Sequence, residues 1–204
     1  MRAKVIAIGN LKGGTGKSTI SVNLACALGG YLLDADIQGT SQDWLAQGNL
    51  PISGHFNPIT DGGVKDWLVE IIKIKARPLI IDLPSNLGAN TAASLTVADV
   101  FLIPVTPSPA DFRATSQALE LVRKIRSKRG GKPHSILIPS RVDRRTGPGK
   151  RIEDELAFFN LPLSPCVGQR TDHVNACWAG RWVGDFAPGS PAHREIMALA
   201  DFLS

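Results

Sequence analysis

The chain has 204 residues, 43% apolar and 20% charged, with a formal net charge of +5. That balance excludes a disordered tail or a disulfide-stapled miniprotein and fits one domain over residues 1–204. Cys26, Cys166 and Cys177 lack metal-ligand spacing, and the short apolar run after Arg2 and Lys4 is neither a secretion signal nor a membrane span, so a reducing cytoplasm fits.

Apolar runs alternate with helical patterns along the whole chain. Val5-Ile6-Ala7-Ile8 has the length of a buried strand, and Thr19–Leu28 places Ile20, Leu24, Ala27 and Leu28 on one helical face. Tyr31–Leu33 predicts a second strand ending at Asp34, and residues 40–47 a helix capped by Thr40 or Ser41. His55–Asn57 reads as a short strand in the otherwise opaque 49–59 stretch. Leu68, Ile71 and Ile72 mark a helix over 64–74. Pro78–Ile81 is a strand ending at Asp82, followed by a helix over 89–98 and a strand over 100–103. Phe112–Arg129 is the longest predicted helix, with Leu119, Val122 and Ile125 facing inward. A strand at 135–138, a helix at 151–159, an edge strand within 163–167 and helices over 171–179 and 191–203 complete the order. The expected fold class is α/β, a mostly parallel central sheet with helices on both faces.

Residues 12–18, Lys-Gly-Gly-Thr-Gly-Lys-Ser, lie between the first strand and the first helix. Small residues there let successive backbone N–H groups turn around a phosphate, and the helix N-terminus adds positive potential. Gly13, Gly14, Thr15, Gly16 and Thr19 would form the cradle. Lys17 would reach the β- and γ-phosphates, and Ser18 would take a Mg²⁺ position. Asp34, Asp36 and Asp82 fall at neighbouring strand ends, where ligands of such sheets gather. Asp82 has the setting of a Walker B carboxylate that holds Mg²⁺, through a water, because that ion keeps much of its hydration.

The standard Walker A glycine is replaced by Leu11, and Lys12 precedes the glycine pair. The loop thereby resembles the deviant Walker A box, K-G-G-x-G-K-[ST], of the ParA/MinD family of P-loop ATPases. The resemblance extends over nearly the whole chain and is closest to small, ParF-like plasmid-partition ParA proteins. It implies ATP and Mg²⁺ as cofactors and a homodimer formed on ATP, with Lys12 crossing to the partner's phosphates. Asp34-Ala35-Asp36-Ile37-Gln38-Gly39 is similar to the second box D-x-D-P-Q-G, so Asp34 would lie near the metal and Asp36 would orient the attacking water. Ile37 stands where the family has proline, which leaves that loop less rigid. Leu83–Gly88 resembles the γ-phosphate switch. Ile103–Phe112 resembles a proline-rich stretch bordering nucleotide and dimer interface, which brings in Pro104 and Thr106. Gln169-Arg170, Gly180, Ser190 and Glu195 resemble the C-terminal pattern.

Residues 123–151 carry eleven Lys and Arg against Asp143 alone, a local +10 that leaves the rest at −5. Two readings stand: a surface for a polyanion, or a solvated helix end with two loops. On the first, Arg144, Arg145, Lys150 and Arg170 are DNA-backbone contacts, although a salt bridge is the alternative for Arg170. The resemblance then implies slow, partner-stimulated ATP hydrolysis, nonspecific DNA binding and a ParB-like centromere-binding partner or a cargo adaptor. The protein would be cytoplasmic and nucleoid-associated in its ATP state, without an N-terminal helix-turn-helix domain. Cargo positioning, of a carboxysome or chemoreceptor cluster, is the alternative to DNA segregation. A MinD-like membrane role fits less well, because Glu195 and Asp201 in the last helix would be repelled by anionic lipid.

Overall fold

A computed structural model describes residues 5–36, 40–48, 50–56, 63–86 and 88–204. The Ile37-Gln38-Gly39 part of the second box, Leu87 of the switch and Asn57 lie outside the described residues. Seven strands form one sheet in the order β3-β2-β4-β1-β5-β6-β7, and every pairing is parallel. They are β1 (Val5–Ile8), β2 (Tyr31–Asp34), β3 (Gly54–Phe56), β4 (Leu79–Asp82), β5 (Val100–Val105), β6 (His134–Val142) and β7 (Val167–Gly168).

Because the central strands are covered on both faces, they are near-continuous apolar runs up to their carboxyl ends rather than alternating, as is usual in parallel sheets. The period of two survives in where each side chain goes. Val5, Ala7, Leu79, Ile81, Phe101 and Ile103 enter one core; Ile6, Ile8, Ile80, Val100 and Leu102 enter the other. The first core is closed by α3 (Val64–Lys73), α4 (Ala89–Val97), α5 (Pro109–Arg126) and α6 (Gly147–Leu156). The second is closed by α1 (Lys17–Ala27), α2 (Thr40–Ala46), α7 (Thr171–Trp178) and α9 (Pro191–Leu203), while α8 (Val183–Phe186) packs beside α9. Trp44 anchors α2 and Trp67 anchors α3. Each is buried, and each indole N–H finds an acceptor, Arg181 O at 3.1 Å and Ser94 Oγ at 3.2 Å. An aromatic side chain buried in this way brings a large apolar area out of water, and its partnered N–H removes the desolvation cost.

Several boundaries differ from the sequence expectation for identifiable reasons. Helix α5 starts three residues early, because Pro109 suits the first helical turn, where an N–H is spare. Helix α6 starts at Gly147, capped by the Thr146 hydroxyl accepting from Gly149 N at 3.1 Å, although Gly-Pro-Gly reads locally as a turn. The expected 163–167 strand is reduced to a single bridge, Leu137 to Leu163, before β7 begins beyond Pro165. Ile72, which marks the α3 helix with Leu68 and Ile71, is exposed, whereas Ile71 is buried. Among the described residues no helix is long and apolar enough to cross a membrane.

Candidate nucleotide site

The parallel register aligns three strand ends. Ile8 pairs with Asp82 and Asp82 with Asp34, so the loop leaving β1 lies beside two carboxylates. That loop turns into α1 through Gly16, whose φ of 91° is left-handed and suits only glycine without strain. Around it lies a cavity of about 670 Å³, a volume suited to a nucleotide. Gly13, Gly14, Gly16, Lys17, Ser18, Thr19 and Asp36 line it, together with Ser140, Arg141 and residues 167–171.

Lys17 is buried. Its Nζ donates to Ser85 Oγ at 2.5 Å and to the Lys12 carbonyl at 3.1 Å. Burial lowers its pKa, and the charges of Asp82, Asp36 and Asp111 oppose that shift only in part. A bound triphosphate would compensate the remainder. Ser85 thus holds the lysine head from the segment that follows β4.

Asp82 is 1% exposed and sits among hydroxyls. Ser41 Oγ donates at 2.5 Å and Ser21 Oγ at 3.0 Å, and the Ser18 hydroxyl also bonds it. Burial raises its pKa to about 6 despite these donors, and neighbouring Asp34 adds to the rise. Asp34 accepts the Asp36 N–H at 2.9 Å, which fixes the chain entering the Asp36 position. A carboxylate so poorly solvated, with hard oxygen donors around it, fits a magnesium ion that brings phosphate and water as further ligands. Ser18, Asp34 and Asp82 are the residues that would hold it.

Lys12 does not line this cavity. Its Nζ lies 2.5 Å from Oδ1 of the fully buried Asp111, at the start of α5, and 3.4 Å from Ser108 Oγ. Oδ2 of the same carboxylate accepts the Thr106 N–H at 3.0 Å and the Thr106 hydroxyl at 2.6 Å. Pro104 lies within β5, its carbonyl accepting from the Asn10 amide at 2.8 Å. Neither Pro104 nor Thr106 lines the cavity; Thr106 instead shapes the seat of Lys12.

The basic candidates are mostly engaged in ion pairs. Arg144 forms a forked pair with Glu153; Arg145 meets Asp143 at 2.8 Å, and Arg170 meets Glu195 at 2.6 Å. Arg145 and Arg170 line the nucleotide cavity. Lys150 is exposed and forms no ion pair among the described residues.

Sequence reasoning left out the strap across the back of the phosphate loop. Ser140 Oγ donates to Thr15 O, and Arg141 Nη1 donates to Gly14 O, both at 2.7 Å. Their position at the carboxyl end of β6 was the available signal. Asp111 and Ser85 stood within quoted segments but carried no assigned role.

A model of the CobQ/CobB/MinD/ParA nucleotide binding domain matches residues 6–173. Among curated proteins, Maintenance of carboxysome distribution protein A of Halothiobacillus neapolitanus is 28% identical over 193 residues, covering 88% of this chain and 86% of that protein. Chromosome-partitioning ATPase Soj of Thermus thermophilus is 25% identical, covering 98% and 96%. The fold is that of the septum site-determining protein MinD of Pyrococcus horikoshii, solved with Mg-ADP. That match has a TM-score of 0.78 and 16% identity, covering 98% of this chain and 96% of that one.

Proposed function

The chain belongs to the CobQ/CobB/MinD/ParA nucleotide-binding family, as a ParA/MinD-type ATPase with ATP and Mg²⁺ as cofactors, and on that premise we propose that it positions a protein cargo along nonspecific DNA. ATP joins two copies, the dimer binds DNA, and a cargo adaptor triggers hydrolysis and release. The observation that carries the dimeric reading is Lys12, held outside its own cavity by Asp111 although it opens the phosphate loop. A cation that serves no phosphate in its own subunit is available to a partner's.

Within one site the roles divide by geometry. The loop N–H groups and Lys17 take the phosphates, and Lys17 is freed from Ser85 as they enter. Asp36, at the cavity wall, orients the attacking water as a hydrogen-bond acceptor. The metal, when bound, offsets charge on the phosphate oxygens.

Cargo positioning is preferred because the similarity to the carboxysome distribution protein covers most of both chains. Similarity to Soj favours a second reading, DNA segregation with a ParB-like centromere-binding partner. A membrane role has less support, because α9 turns Ile196, Leu199 and Leu203 into the core. In either favoured reading the protein is cytoplasmic and nucleoid-associated in its ATP state, and residues 1–204 act as one ATPase domain.

Light scattering with ATP and Mg²⁺ should report a dimer that Lys12→Ala loses, whereas Asp36→Ala keeps the dimer and loses turnover. A monomer in wild type at saturating ATP refutes the dimeric reading. Affinity capture on the ATP-locked Asp36→Ala protein then separates the cargoes: a shell-binding adaptor supports positioning, a centromere-binding protein supports segregation.

A further inference from the structure

His173 is the third residue of α7 and lines the nucleotide cavity from an element other than the phosphate loop. It is 7% exposed, and neither ring nitrogen has a hydrogen-bond partner among the described residues. A neutral imidazole carries one N–H donor and one acceptor, and leaving both unmet in a buried setting is costly. Burial lowers its pKa, and Arg170 reinforces that direction against the opposing charges of Glu195 and Asp172. The ring is therefore neutral near pH 7.

Glu195 and Arg170, two of its charged neighbours, already bond other groups. Glu195 accepts from the Gly168 N–H at 2.9 Å and from the Arg170 guanidinium at 2.6 Å. The space beside the ring is the cavity. A triphosphate seated on Gly13–Thr19 leaves the nucleoside the rest of the cavity wall, which includes residues 167–171 and His173. We propose that His173 hydrogen-bonds the nucleoside half of bound ATP and contributes to the choice of nucleotide. This rests on the nucleotide reading above. The shared chemistry, a donor or acceptor on the nucleoside edge, can come from the base or from a ribose hydroxyl.

Calorimetric titrations of wild type, His173→Phe and His173→Asn with ATP, GTP, 2′-deoxyATP and inorganic tripolyphosphate test it, together with ¹⁵N signals of the imidazole in the wild-type protein. Phenylalanine keeps the ring's packing and removes both nitrogens, so ATP affinity should fall about tenfold, with tripolyphosphate affinity unchanged. Asparagine, which restores a donor and an acceptor, should recover most of the loss. If the base is read, the ATP-to-GTP ratio collapses in His173→Phe. If the ribose is read, the ATP-to-2′-deoxyATP ratio collapses instead. The wild-type ring signals should move with ATP and stay still with tripolyphosphate. Equal weakening of ATP and tripolyphosphate, or unchanged ATP binding by His173→Phe, overturns the inference. Should the variant fail to fold, unmoved wild-type ring signals at saturating ATP overturn it alone, since a resident water would then satisfy the ring. A wild-type protein that binds no ATP defeats the nucleotide reading itself.

Discussion

Asp111 and Asp82 are both buried carboxylates, and they differ in what offsets their charge. Asp111 has the Lys12 ammonium and two bonds from Thr106. The Lys12 contact is an ion pair without hydrogen-bond alignment at Oδ1, so it is held by charge and is the weaker side of that carboxylate. An ATP dimer that draws Lys12 across to a partner must break this pair. Asp111→Asn retains an oxygen for Thr106 and releases the lysine. It should therefore tighten ATP-dependent dimerisation about tenfold, equivalent to ~1.4 kcal/mol, in sedimentation equilibrium. Weaker or unchanged dimerisation would remove Asp111 as the seat from which Lys12 departs. Asp82 has hydroxyl donors, an acidic neighbour and, without a direct bond, the charge of Lys17. Its pKa is about 6 in the folded protein against 3.8 for the free group, so the folded state holds the proton more tightly. The stabilisation is complete below pH 3.8 and is lost as pH rises through 6. Without Mg²⁺, Asp82→Asn should melt higher than wild type at pH 7.5, by at most about 3 kcal/mol, and the gap should shrink toward pH 5. With Mg²⁺ and ATP the same variant should lose turnover. A pH-independent gap would mean that Asp82 is not the titrating group.

At the scale of elements, the phosphate loop is a turn whose shape is imposed from outside. Ser140 and Arg141 grip the carbonyls of Thr15 and Gly14 from the end of β6, and Arg141 does so at a φ of 52°. A non-glycine residue in that region carries about 1 kcal/mol or more of strain. Arg141→Gly relieves the strain and removes the grip, whereas Arg141→Ala removes the grip alone. Both should weaken ATP binding by a similar factor, about three- to tenfold. Only the glycine variant should recover thermal stability relative to alanine. Divergent ATP affinities would separate the backbone from the guanidinium as the source of the effect. The strap also marks where the sequence stops being legible. Residues 12–18 and the aspartates at 34 and 82 can be read because loop, helix and strand ends are local patterns whose register follows from parallel pairing. Gly14 and Arg141 meet across 127 positions, and no local periodicity encodes that contact. The bonds of Ser21 and Ser41 to Asp82 were hidden for a similar reason, and Ser41, expected as a helix cap candidate, lies inside α2 and serves that carboxylate instead. Serine on a helix reads as neutral until a buried carboxylate from another strand faces it.

At the scale of the whole molecule, the proposed DNA binding needs a basic surface. Arg145 and Arg170 line the nucleotide cavity and Arg144 is the chain neighbour of Arg145, but Glu153, Asp143 and Glu195 already engage the three. Exposed ion pairs of this kind are worth little in water, so phosphate could displace the carboxylates, though each exchange gains less than a free cation would. The carboxyl end of α5 offers an alternative. Arg123, Lys124 and Lys128 are exposed there and form no ion pairs among the described residues, while nearby Lys132 is held by Asp99 at 2.7 Å. Binding of the ATP form to random duplex DNA should weaken steeply with salt, the slope counting the phosphates neutralised. Lys124→Glu with Lys128→Glu should lower affinity and flatten that slope by about two if the α5 end carries the contact. Arg144→Glu with Arg170→Glu should do so if the nucleotide end carries it, and it would also set two glutamates against Glu153 and Glu195. Comparing slopes rather than affinities matters for that second pair. A local rearrangement lowers affinity at every salt concentration, but only loss of a phosphate contact changes the number of counterions released.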